Sequence, residues 1–215
     1  MLKRLFSIII ICCVFCSFCA LKSFADDYKF KDISAFETER LILQPSTFKD
    51  LEILSGYLMD REVTKYLDPS IKKGFDTQNE ALEFLNNAGQ SGEKISFAVK
   101  LKDSKNLIGQ VETMLFRTNY GNMAMISYWL GKDFQGKGYA REACYSLSNK
   151  VLAASDIDSI FITCDCRNFA SIKLAGDILD YLEKNNKYLK LSRSQEIFDL
   201  YESIKAKMFQ LKKLT

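Results

Sequence analysis

Residues Tyr128 to Glu142 read YWLGKDFQGKGYARE, and the fold turns on this stretch. It opens on the end of an apolar strand, passes Gly131, Gly136 and Gly138, and enters a helical pattern at Tyr139. Glycines let the chain turn so that successive N–H groups face one point. A helix N-terminus adds unpaired N–H donors and the positive end of the helix dipole. Together they predict an anion cradle suited to a diphosphate, to which Lys137 can add a charge. The spacing is not that of a P-loop, since G-x-x-x-x-G-K-[ST] is absent. It is not a dinucleotide-binding fingerprint either, since the strands before it follow one another without helices. From the glycines alone, a plain strand-to-helix turn stands beside the cradle as a reading.

Upstream, residues 38–44 alternate polar and apolar, as a half-buried strand does, and Pro45 ends them. Thr47 with Asp50 and Thr77 with Glu80 form capping boxes, each before an apolar-periodic stretch, so a helix is expected at each. A short helical piece is expected over 62–67, stopped by Asp68-Pro69. Strands over 95–100, 107–116 and 123–130, joined by polar turns, predict an antiparallel meander. Downstream come a helix over 139–154, a β-branched strand over 158–164 and a helix over 168–182. A last hairpin is expected from 188–191 and 196–201. The order β-α-α-β-β-β-α-β-α-β-β is a mixed α/β domain with a mostly antiparallel sheet, not a doubly wound one.

Several separated segments resemble one family. Gln135-Gly136-Lys137-Gly138-Tyr139-Ala140 is similar to the Q/R-x-x-G-x-G/A motif of the GNAT superfamily of acyl-CoA-dependent N-acetyltransferases. Glu37-Thr38-Glu39-Arg40-Leu41-Ile42-Leu43 resembles the first-strand TERLxLR of its RimJ/RimL-like branch, which acetylates ribosomal-protein N-termini. Tyr128-Trp129-Leu130 is similar to that branch's YWL, and residues 168–175 resemble its NxxSxxLA. The matches span about residues 37–183.

The resemblance implies an acetyl-CoA-dependent transfer to a primary amine, with a peptide α-amino group as one acceptor. It implies that two strands splay between residues 126–130 and 160–164 to admit pantetheine. The diphosphate then sits on the backbone of Gln135, Gly136, Lys137, Gly138, Tyr139 and Ala140. Asn168 and Ser171 lie nearest the pantetheine and thiol, and an N–H near Trp129 or Leu130 serves the oxyanion. Met125 stands where the branch carries a glutamate, so Glu112 on the neighbouring strand is the candidate base, against the alternative of a charge on an outer face. Tyr201 is the candidate acid with Ser171, because Ala175 takes the place of a tyrosine found in some members. Asp180-Tyr181 replaces the usual GF after the helix. The second reading is an exported, non-catalytic protein that binds CoA or another ligand on the same fold.

Composition narrows the chemistry. Among 215 residues there is no histidine, which removes imidazole catalysis and most zinc sites, and no metal is expected. Lys3, Arg4 and Lys22 precede Ala25, which leaves 27 basic against 27 acidic residues after it. A nucleic-acid footprint is therefore not expected. Met1 to Arg4 is a positive head, 5–21 is apolar apart from Ser7 and Ser17, and Ser23-Phe24-Ala25 fits a peptidase site. This predicts a signal peptide over 1–25 and export, with a retained anchor over 5–21 as the alternative. A lead-in over 26–36, the acetyltransferase domain over 37–203 and a basic tail over 204–215 complete the expected organisation, as a monomer or homodimer. Cys144, Cys164 and Cys166 are expected to be buried thiols rather than a metal or redox group.

Overall fold

The computed structural model describes residues 6–12, 33–67, 74–88, 94–118, 121–154, 157, 159–165, 167–185 and 189–191. Among them eight strands form one sheet, in the order β2-β3-β4-β5-β6-β7-β1-β8. The meander is its centre: β4 (Lys94–Leu101), β5 (Leu107–Thr118) and β6 (Gly121–Leu130) pair antiparallel. β3 (Leu41–Pro45) extends it antiparallel, and β2 (Phe36–Glu37) pairs with β3. The expected strand over 38–44 is thus broken at Thr38–Arg40, with Thr38 donating its amide to the Leu41 carbonyl at 2.9 Å.

The helices cover the two faces. α4 (Tyr139–Ala154) and α5 (Phe169–Asn185) lie on the face carrying Leu41, Leu43, Phe97, Val111, Ile126 and Ile162. α1 (Phe48–Tyr57) and α3 (Gln78–Ala88) cover the other, where Leu54, Leu58, Ala81 and Leu85 meet Ala98 and Leu107. Burying each such leucine stabilises the fold by roughly 1.5–3 kcal/mol. α1 starts on the expected capping box: the Thr47 amide donates to Asp50 Oδ2 at 2.9 Å, and the Asp50 amide to Thr47 Oγ1 at 3.3 Å. At α3 the Glu80 amide donates to Thr77, but the Glu80 carboxylate takes the Asp76 amide instead of closing the box. The helical piece expected over 62–67 starts one residue earlier, because Asp60 caps it, and ends at Thr64 in a turn: α2 (Arg61–Thr64).

β7 (Ser159–Cys164) joins β6 in parallel. Their pairing runs from Met123–Ser159 to Ile126–Ile162 and stops there, although β6 continues to Leu130 and β7 to Cys164. The sheet therefore parts at this end, between the two segments where a splay was expected.

The far edge of the sheet holds a strand that the sequence reading does not place there. Phe6–Cys12 forms a strand, β1, paired in parallel with β7 from Ser7–Ser159 to Cys12–Cys164. Its run Ile8 to Ile11 has high strand propensity, which the leader reading does not weigh. β8 (Leu189–Leu191) pairs in parallel with β1, and the expected hairpin partner over 196–201 lies outside the described residues, as does the tail over 204–215.

Candidate active site

The glycine loop is anchored at both ends. Gly131 donates its amide to the Ile108 carbonyl at 2.9 Å and lies against the Tyr57 ring, which a Cβ at residue 131 would approach to 3.0 Å. Tyr57 is itself held by its hydroxyl, which donates to the Leu107 carbonyl at 2.8 Å, and it meets Phe134 edge-on. A single 3-10 turn, Lys132–Phe134, follows. The Gln135 side chain then donates to the Leu130 carbonyl at 3.0 Å, and its amide to the Lys132 carbonyl at 3.2 Å. Gln135 thus closes the loop onto the strand end, and its own amide is spent there. The cradle begins one residue later than the sequence suggests.

From Gly136 to Arg141, no amide N–H is engaged by a protein acceptor among the described residues. Gly136 and Gly138 have φ of 73° and 81°, in the left-handed region that glycine accepts without strain. The six amides lead into the first turn of α4, where the helix dipole adds its positive end. This donor set suits a diphosphate. Lys137 turns its ammonium over the Phe134 ring at 5.9 Å.

Behind the cradle sits a contact between distant motifs. The Glu142 carboxylate, in the first turn of α4, accepts from the Thr38 hydroxyl, the Arg40 amide at 2.8 Å and Arg40 Nε at 2.7 Å. Arg40 Nη1 donates to the Lys137 carbonyl at 3.1 Å, and its guanidinium lies 4.7 Å from the Tyr139 ring centre. Burial alone raises the Glu142 pKa, but these donors and the Arg40 charge outweigh it and hold the carboxyl below its ordinary value.

Where β6 and β7 part, the direction of the strand amides matters. Gly131 donates toward β5, and the Trp129 carbonyl also faces β5, close against Gly109, where a Cβ would come to 2.3 Å. Alternation then turns the N–H groups of Tyr128 and Leu130 toward the opening, and that of Trp129 away from it. Of the expected pair, Leu130 is therefore the one whose N–H faces the opening. The Trp129 side chain packs with Leu54, Leu58 and Leu107 on the α1/α3 face.

Across the opening, Asn168 caps α5: its Oδ1 accepts the Ser171 amide at 3.2 Å, and its carbonyl accepts the Ile172 amide at 3.0 Å. The Ser171 hydroxyl lies near that of Tyr128 without reaching hydrogen-bond geometry. The Tyr128 hydroxyl is buried with no other partner among the described residues. Burial pushes the Tyr128 phenol up, the neighbouring Cys144 and Cys164 add to this, and Ser171 opposes it. Tyr128 was visible in the sequence only as a letter of the YWL segment. Its place beside Ser171 depends on how β6 meets α5. Cys144 is a buried thiol, as expected, whereas Cys164 is partly exposed and Cys166 lies outside the described residues.

A family model described as an acetyltransferase (GNAT) domain matches residues 40–178. The chain belongs to the GNAT acetyltransferase family. An N-acetyltransferase of Bacillus subtilis named YnaD is 31% identical over 143 residues, covering 66% of this chain and 79% of that protein. The solved structure of RimL, a ribosomal-protein α-N-acetyltransferase in complex with coenzyme A, has a TM-score of 0.56 at 19% identity. It covers 67% of this chain and 82% of its own. A spermidine N-acetyltransferase from Vibrio cholerae, in complex with CoA and spermine, has a TM-score of 0.54 at 20% identity, covering 66% and 80%. At these identities the two structures share the fold. This GNAT protein is an acyltransferase by family.

Of the remaining site expectations, Glu112 falls on the other face of the GNAT sheet. Glu112 on β5 sits between Ser96 and Ser127, which donate to its carboxylate at 2.8 and 3.2 Å. Lys94 pairs with it at 2.8 Å, and the two side chains are 7% and 16% exposed. These three donors take three of the roughly four acceptor positions of a carboxylate. Glu112 is thus no solvated outer-face charge but is held in an ion pair and two hydrogen bonds. Met125 is buried, and Ala175 is buried in the α4/α5 core. Tyr181, in place of the usual GF, stacks on Tyr145 at 4.1 Å and helps hold α5 on α4. Tyr201 lies outside the described residues.

Proposed function

We propose that this GNAT protein transfers an acetyl group from acetyl-CoA to a primary amine of low pKa, a peptide α-amino group foremost. The observation that carries the reading is the conjunction at one end of the sheet: open amides from Gly136 to Arg141 beside strands that part after Ile126 and Ile162. Acetyl-CoA supplies a thioester carbonyl activated for attack. The amides of Gly136 to Arg141 hold the diphosphate by hydrogen bonds and the helix dipole. The N–H groups of Tyr128 and Leu130 face the carbonyl oxygen and stabilise the charge that gathers on it. The Ser171 hydroxyl, beside the buried Tyr128 phenol, holds a proton near the leaving sulfur.

The acceptor class follows from the base. Glu112, the carboxylate on the strand beside Met125, is engaged by Lys94, Ser96 and Ser127. An acceptor that arrives already neutral avoids the need for a strong base. With ordinary pKa values near 7.7 and 10.4, roughly one α-amino group in six but only about one lysine in two thousand is neutral at pH 7. RimL, by its name, works on a protein α-amino group, which agrees with this choice; the spermidine enzyme shows that the fold also accepts polyamines.

Release of free CoA thiol tests the reading. A short peptide with a free α-amino group is turned over at pH 7.5, and an α-blocked lysine is not. Turnover of spermine or the blocked lysine alone overturns the acceptor class. Failure to bind CoA at millimolar concentration overturns acyl transfer, and binding without any thiol release points to a non-catalytic CoA-binding protein.

The positive head, apolar run and small-residue site support a second proposal, that the chain is exported and begins at Asp26 when mature. Residues 6–12 cannot lie in a membrane and pair with β7 at once. Mass spectrometry of the N-terminus decides: a start at Asp26 gives a chain without β1, and an intact Met1 overturns cleavage.

A further inference from the structure

We propose that Arg40, far from the glycine loop in sequence, is a positioning residue that sets this protein's affinity for the diphosphate of the coenzyme. The proposal rests on the CoA reading above and adds to it a residue outside the loop motif. Three observations carry it.

The first is the peptide between Lys137 and Gly138. Arg40 Nη1 takes the Lys137 carbonyl at 3.1 Å. In a trans peptide the carbonyl and the following N–H point in opposite directions. Fixing the Lys137 oxygen on Arg40 therefore aims the Gly138 N–H away from Arg40, toward the open side of the loop.

The second is that the loop has little else to hold it there. Gly136 has nothing within 4 Å of where a Cβ would stand, and residues 135–138 are exposed. A loop with two glycines at positive φ is costly to order. Gln135 fixes its beginning through Leu130, and Arg40 fixes its middle. An anion site whose amides are aimed before the ligand arrives does not spend binding energy on aiming them.

The third is charge. Glu142 stands in the first turn of α4, at the end where the diphosphate is bound. An unpaired carboxylate there repels a doubly charged ligand. Arg40 pairs with it at 2.7 Å, and Thr38 and the Arg40 amide satisfy it further. Removing Arg40 thus frees the Lys137 carbonyl and exposes the Glu142 charge in one step.

The test measures binding of three probes to the full chain: CoA, dephospho-CoA and pantetheine, the last lacking the diphosphate. Arg40→Ala is expected to weaken CoA and dephospho-CoA alike by about tenfold, the size of one charge-assisted contact. Pantetheine affinity stays at the wild-type value. Arg40→Ala with Glu142→Gln recovers part of the loss, because the repelling charge is gone. Arg40→Lys lies between wild type and Arg40→Ala, and it carries the test if Arg40→Ala does not fold. Equal weakening of all three probes, or unchanged CoA affinity in a folded variant, overturns the proposal while the CoA reading stands. A wild-type chain that binds no CoA overturns both.

Discussion

The two sides of the site are built differently. The side to which the proposal assigns the coenzyme is backbone: amides from Gly136 to Arg141, the Leu130 N–H, and a helix start, with side chains such as Gln135 and Arg40 serving to hold the backbone in place. The α1/α3 side, which the proposed function leaves to the acceptor, is a row of side chains across three strands, Ser96, Glu112 and Ser127, closed by Lys94. Backbone donors do not titrate and tolerate many side chains, so a common coenzyme can be held by a short local motif. Cross-strand side chains can be exchanged one at a time, so the acceptor side is free to differ between relatives that share the fold.

The sharpest way to break this contrast is to damage the backbone side alone. Gly138 combines a φ of 81° with Arg40 lying 3.3 Å from where a Cβ would stand. In Gly138→Val, backbone strain of about 1–3 kcal/mol and the displaced Arg40 act together, and CoA affinity measured by calorimetry falls by roughly a hundredfold. Gly136→Ala has strain but open space, and loses about tenfold or less. Equal losses at the two positions would mean that Arg40 does not matter to the loop.

On the opposite face the large effect is on stability. Lys94→Met leaves Glu112 with its two serine donors but no countercharge. Because Glu112 is partly exposed, the cost is about 2 kcal/mol, below the 3–5 kcal/mol of a fully buried pair. Denaturant unfolding measures it, and adding Glu112→Leu restores much of the loss. CoA affinity is unchanged in both variants, and a loss there would show that the two sides are coupled.

This division also explains what could be read from the chain. The glycine loop, the capping box at Thr47, the meander and α4 are all set by residues within a few positions of each other, so their patterns are visible in the sequence. Contacts that bring together distant segments were not: Arg40 meets Glu142 across 102 residues, and Glu112 meets Lys94 and Ser127 only once three strands are in register. The first strand illustrates the limit. Its alternation fits an unbroken strand over 38–44, but Thr38 and Arg40 leave the ladder to reach Glu142. Residues 6–12 show the reverse case, where an apolar run compatible with a leader also satisfies the propensity of a strand.

The proposed function also assigns a proton for the leaving sulfur to Ser171. Ser171→Ala is expected to lower kcat by about tenfold, near the bottom of the range for acid catalysis because a thiolate leaves easily, with KM for acetyl-CoA little changed. Tyr128→Phe gives a similar or smaller loss, and a loss only in KM would make both residues packing groups. Smaller still is the cap: Asn168→Ala costs about 1 kcal/mol of stability, and Asn168→Asp retains it.

The smallest effect is in acid. Glu142 is held below its ordinary pKa of 4.5 by its donors against burial, and Asp50 below 3.8 by Lys100 and Thr47, also against burial. A group whose folded pKa is depressed binds fewer protons folded than unfolded. Its stabilisation is present above the unfolded value and is lost as pH falls through the folded one. Stability is therefore expected to be flat in these two groups above pH 4.5 and to decline below it, first through Glu142 and then through Asp50. Glu142→Gln removes the upper part of that decline in urea unfolding at stepped pH, and Asp50→Asn the lower. If Glu142→Gln leaves the slope between pH 4.5 and 3.8 as it was, Arg40 is not holding that carboxylate ionised, and the proposed role of Arg40 loses its support from charge.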